Sequence, residues 1–98
     1  MGRPKRHVNW YVTAAPFDAY AWDGWWWVPS LRRWHRMDDE SVSHLARSSH
    51  AHALTAKAAF RIAHRCPADV VHVVARIHRK SRKWPNGYDK EWVVRREP

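Results

Sequence analysis

Two stretches of this chain alternate apolar and polar side chains so strictly that their local structure is nearly settled. From His7 to Ala14, Val8, Trp10, Val12 and Ala14 fall on one side and His7, Asn9, Tyr11 and Thr13 on the other. From Asp69 to Arg79, Val71, Val73, Ala75 and Ile77 alternate with His72, Val74, Arg76 and His78. A two-residue period belongs to a strand with one buried face. Two such strands cannot shield their apolar sides alone, so the rest of the chain must supply a covering layer.

That layer is predicted as a helix. Asp38-Asp39-Glu40 offers an N-cap and an acidic first turn, and Cys66-Pro67 a stop, so one long helix is expected from Glu40 to Arg65. At roughly 100° per residue, Val42, Leu45, Ala46, Ser49, Ala53, Ala56, Phe60 and Ala63 share a stripe. Further strands are expected at Trp25 to Val28, after the turn pair Asp23-Gly24, at Leu31 to Met37, and at Tyr88 to Arg96. Asn86-Gly87, the commonest type I′ pair, would open the last hairpin, and Trp92 and Val94 would complete the core face. The expected fold is α+β: one antiparallel sheet with a single long helix on one face, order β-β-(β)-α-β-β. It is expected to form one domain over residues 7–98, preceded by a flexible basic arm at residues 1–6.

Ten Val, 13 Ala and eight Trp against five Leu plus Ile mean that indoles and small side chains must build the core. The single cysteine, Cys66, excludes an internal disulfide framework and a Cys-rich zinc module, and suits a reducing cytoplasm. Asn9, Thr13, Pro16 and Asp18 break what would be an export signal, and no apolar run approaches the roughly 20 residues of a membrane helix. A cytoplasmic location with no membrane partner is therefore expected. The excess of Arg over Lys is what GC-rich coding tends to give, which suggests a bacterium or its bacteriophage as the source.

The formal charge is +9, and it is uneven. Residues 1–40 carry six basic and five acidic side chains, residues 41–98 twelve and four. Clustered basic side chains point to phosphate, hence to DNA or RNA, with an acidic protein partner or a merely solvated face as alternatives. The expected nucleic-acid contacts are Arg76, His78, Arg79, Lys80, Arg82 and Lys83 at a strand end. Arg47, Lys57, Arg61 and Arg65 on the helix flank would join them, and Arg3, Lys5 and Arg6 on the arm would add grip. Protonation of the eight histidines near pH 6.5 would tighten polyanion binding.

Trp25, Trp26 and Trp27 are consecutive, so Trp26 must leave its strand on the face opposite its neighbours. Trp26, Trp34 and Trp84 are expected as protein-interface anchors, Trp10 and Trp92 as core. The histidines lack metal-ligand spacing, no catalytic set emerges, and Cys66, at a helix C-terminus, reads as structural, so neither a metal nor another cofactor is expected. A ribonuclease would need a His or Tyr beside an Arg pair, for example His78 with Arg76 and Tyr88 near the hairpin.

Gly2-Arg3-Pro4-Lys5-Arg6 resembles the core of an AT-hook, with Met1 where the first groove-inserting arginine would stand. The resemblance implies Arg3 in a minor groove, with Lys5 and Arg6 on phosphates. Trp22-Asp23-Gly24-Trp25-Trp26-Trp27-Val28-Pro29-Ser30-Leu31 resembles the strand entering the "VPEL" turn of HicB-type antitoxins. Ser30 replaces that turn's acidic residue, and the glycine-rich turn that follows is missing. The resemblance implies a small β-β-β-α-β domain that binds a protein partner through its sheet. Three readings result. The first is a non-enzymatic protein that binds nucleic-acid phosphates non-specifically. The second is a protein-binding modulator, antitoxin-like or a phage-encoded host-interfering factor, acting through exposed tryptophans. The third is a small basic ribonuclease toxin. A homodimer would suit the first two, since a small sheet gains from burying an edge.

Overall fold

The computed structural model describes residues 8–14, 24–36, 38–78, 82, 83 and 85–96. The alternating segments form β1 (Val8–Thr13) and β5 (Val70–Ile77), with β2 (Trp25–Val28), β3 (Arg33–Arg36), β4 (His50–Ala53), α1 (Ala56–Arg65) and β6 (Tyr88–Arg95) around them. The class is α+β. One antiparallel sheet runs in the order β4-β1-β5-β6, and β2 and β3 form a separate hairpin.

The two-residue period decides which side α1 covers. Trp10 lies between Ala53 and Ala75, and Val12 between Ala51 and Val73, so these six share a face. Ala59 and Ala63 of α1 close over it, and their small side chains let the helix lie near the sheet. The phenol of Tyr11 emerges on the other face, between His52 and Val74.

The long helix expected from Glu40 to Arg65 is not formed; α1 occupies only its last ten residues. Ala51 and Ala53 alternate with His50 and His52, and pairing with β1 overrides alanine's helix preference there. Asp39 caps only a single 3-10 turn at Glu40–Val42, accepting from the Ser41 amide at 3.0 Å. The cap of α1 is Thr55, whose Oγ1 accepts from the Ala58 amide at 3.1 Å. Thr55→Ala should therefore cost about 1 kcal/mol, seen in thermal melts as a midpoint several degrees lower.

The C-terminal carbonyls of α1 are satisfied from outside the helix. Trp34 Nε1 donates to the Ile62 carbonyl at 3.1 Å, the Cys66 amide to Ala63 at 3.2 Å, and Arg96 Nη2 to His64 at 2.8 Å and also to Cys66. The Arg96 charge also complements the negative end of the helix dipole. Burial pushes the Cys66 thiol up, which keeps it inert.

Three further expectations are corrected. Trp34 is buried, 8% exposed, rather than an interface anchor. Its partner across the hairpin is Trp27, and that face turns toward α1. β3 is shorter than Leu31 to Met37, because Pro29–Arg32 form the turn, with the Leu31 amide on the Val28 carbonyl. Asn86-Gly87 is not a type I′ turn: the β5–β6 connection spans residues 78–87, and Asn86 lacks the positive φ that such a turn needs. Gly87 is still required, with φ 81° and any Cβ falling 2.1 Å from the Ile77 carbonyl oxygen.

Candidate nucleic-acid interface

The β2–β3 hairpin docks beside β4 through a reciprocal backbone pair, each of Trp27 and Ser48 donating to the other's carbonyl at 2.8 Å. Trp34 anchors its second strand on α1. Between hairpin and helix lies a groove of about 490 Å³, walled by Trp27, Pro29 and Arg32 on one side and by Ala58, Arg61, Ile62 and Arg65 on the other. Its base is His52, Ala53 and Leu54 of β4 and the residue after it. A neighbouring recess of about 300 Å³ adds Arg33 and Trp34 and shares Trp27, Arg32 and Arg65.

Arg32, Arg61 and Arg65 thus line the groove from two elements that are far apart in sequence, and Arg33 lines the recess beside it. Arg61 and Arg65 are one helical turn apart, so both point the same way from α1. Arg32 and Arg33 close the hairpin turn opposite them. The ion pairs among the described residues are His35–Asp39, Arg36–Asp38, His72–Glu91 and Arg76–Asp89, and none involves these four arginines. No carboxylate is among the described residues that line the groove. Guanidinium groups without an ion pair among the described residues, beside an apolar wall that carries an indole, can fork onto phosphate oxygens while a planar base lies against that wall.

Arg32 reaches its place in a left-handed backbone conformation, φ 52°. For a residue with a Cβ this costs roughly 1–2 kcal/mol. Arg32→Gly should leave the fold as stable or up to about 1 kcal/mol more stable while weakening anion binding. Urea denaturation beside a binding titration reads both, and a parallel change in the two would refute a binding role for the side chain.

Of the expected phosphate contacts, Arg61 and Arg65 line the groove. Lys57 is exposed on the same helix but does not line it, and Arg82 and Lys83 are exposed in the β5–β6 connection. Arg47 belongs to no helix flank: it sits half-buried in the loop before β4, already engaged. Arg76 is also engaged already. It forms a two-pronged bond with Asp89, Nε to Oδ1 at 3.1 Å and Nη2 to Oδ2 at 3.3 Å, so a carboxylate occupies its fork. His78 Nε2 lies 2.8 Å from Asn9 Nδ2. Of the example given for a ribonuclease, Tyr88 pairs with Ile77 on the helix-covered face while Arg76 lies on the other, so these two do not meet. Trp26 is half-buried beside His35. Arg3, Lys5, Arg6, Arg79, Lys80 and Trp84 lie outside the described residues. The charge tally missed Arg32, Arg33 and Trp27; the pair Arg32-Arg33 after Pro29-Ser30 was the available signal.

The open face gathers aromatic and titratable groups around Tyr11. His52 stacks on its ring at 5.1 Å, His50 meets it edge-on at 5.3 Å, and the Arg76 guanidinium lies 5.9 Å from its centre. Among the described residues no three His, Cys, Asp or Glu side chains converge as a metal site. Burial, and then the neighbouring His52, holds His50 below the usual histidine range. The unfolded chain therefore takes up this proton first as pH falls. Stability is at its full value above about 6.5 and declines as pH drops toward the folded-state value. Denaturation at pH 7.5 and 5.5 should show this loss, and His50→Gln should reduce it.

No protein-family model matches the chain, and no curated protein or solved structure is significantly similar to it.

Proposed function

We propose that this protein binds nucleic acid through its phosphates, and that the strand it takes is single. The observation that carries the reading is that Arg32, Arg61 and Arg65 line one groove, with Arg33 in the recess beside it, without an acidic partner among the described residues. The groove favours a single strand, because beside its arginines it offers the apolar side chains of Trp27, Leu54 and Ile62 to an unstacked base. A duplex keeps its bases stacked inside and would meet only the arginine rim.

The test is a titration of tryptophan fluorescence with oligothymidylate, an RNA of the same length and a duplex, each at several salt concentrations. Three or four phosphate contacts to a single strand give a log–log salt slope of about −2 to −3, with the single strands bound more tightly than the duplex. Micromolar or weaker binding to all three at low salt would overturn the reading and favour an acidic protein partner. Loss of full-length RNA, abolished by His78→Ala, would favour a nuclease.

A further inference from the structure

We propose that the outer edge of β6 is the interface of a symmetric homodimer, two copies pairing antiparallel about a two-fold axis through Trp92. The Arg96 amide donates to the Asp69 carbonyl at 3.0 Å, and Arg95 pairs with Val70. Antiparallel alternation then turns the even-numbered residues of β6 toward β5. The backbone groups of Asp89, Glu91, Val93 and Arg95 face outward, and among the described residues no strand meets them. This eight-residue edge also carries two exposed apolar side chains, Trp92 at 40% on the helix-covered face and Val93 at 43% on the other. A long, unpaired, partly apolar edge is a template for another strand.

The sequence of β6 identifies that strand as a second copy of itself. A two-fold perpendicular to the sheet pairs residues of the same face, so the axis must pass through one residue of the strand. Centred on Trp92, Asp89 lies opposite Arg95 of the second copy, and Arg95 opposite its Asp89. Arg95 has no ion pair among the described residues, whereas Asp89 can accept from it beside Arg76. Glu91 faces Val93, Lys90 faces Val94, and no like charges meet directly. Centring on Glu91 sets two carboxylates face to face, and centring on Val93 sets Lys90 against Arg96 twice. Like-charge repulsion opposes the first shift; the second offsets each Lys90–Arg96 repulsion with a Glu91–Arg95 attraction, and so lacks the net gain that the Trp92 register draws from its two Asp89–Arg95 pairs.

The Trp92 pair at the axis extends an aromatic cluster already present, since Trp92 stacks on Trp10 at 5.5 Å and meets Phe60 at 6.0 Å. The dimer has an eight-stranded sheet with both helices on one face. Its two arginine grooves lie at opposite ends, beside β4 strands that are roughly 34 Å apart from strand spacing alone.

Sedimentation equilibrium of the wild-type chain should give twice the mass of one chain. Val93→Pro removes only an outward-facing N–H, so it should leave the β5–β6 ladder and the far-UV circular dichroism intact and give the monomer mass. One cysteine added at a time, at Lys90, Glu91, Trp92 or Val93, fixes the register under mild oxidation, Cys66 being buried. Trp92→Cys should cross-link most completely, because the non-hydrogen-bonded pair at the axis brings its own kind closest. A monomeric wild type, a Val93→Pro variant that stays dimeric, or strongest cross-linking at Lys90, Glu91 or Val93 would overturn the proposal.

Discussion

Trp34→Ala should lower the folding free energy by roughly 3–5 kcal/mol, a large share of what a domain of this size has. Two effects combine. The indole is buried among α1, β4 and Trp27, where its removal leaves a cavity, and its Nε1–H is the donor that satisfies the Ile62 carbonyl in the last turn of the helix. Trp34→Phe separates them: it keeps most of the ring but no donor, and should cost about 1–3 kcal/mol for the orphaned carbonyl and the smaller volume. Urea denaturation measures both. Near-wild-type stability of Trp34→Ala would mean that the hairpin is not anchored through this side chain, and the groove wall it supports would lose its basis.

Replacing Arg61 and Arg65 together by alanine should weaken single-strand binding about 10–100-fold at moderate salt and flatten the log–log salt slope by about 1.4. Both side chains are exposed, so stability should stay within roughly 0.5 kcal/mol of wild type. Double replacement by lysine restores the slope but not all of the affinity, because a point charge cannot fork onto two phosphate oxygens. Arg82→Ala with Lys83→Ala is the matched control, removing two charges outside the groove. If the control loses as much as the groove variant, binding follows total charge and not this site.

The strands β1 and β5 could be read from the sequence because their two-residue period is long and is not contradicted by any other pattern. β4 could not. His50-Ala51-His52-Ala53 is too short to compete with a helical stripe through the alanines, and only pairing with β1 makes it a strand. The groove was half legible. Arg61 and Arg65 lie at helical spacing and stand out, but Arg32 and Arg33 vanish in a tally where Asp38, Asp39 and Glu40 cancel them. What brings the four together is the hairpin's dock on α1, which rests on a tryptophan donating to a backbone carbonyl 28 residues away. The pairing of Arg76 was hidden for a similar reason: its partner Asp89 stands opposite it only in the β5–β6 register.

The groove itself can be tested by photochemical cross-linking. A single-stranded oligonucleotide carrying 5-iodouracil is irradiated with the protein, and the modified residue is located by mass spectrometry. The expected adduct is on Trp27, lost when Arg32, Arg33, Arg61 and Arg65 are all changed to alanine. Adducts on Tyr11 or Trp92 with Trp27 untouched would place the nucleic acid on the open sheet face or the β6 edge, and would contradict the arginine groove as its site.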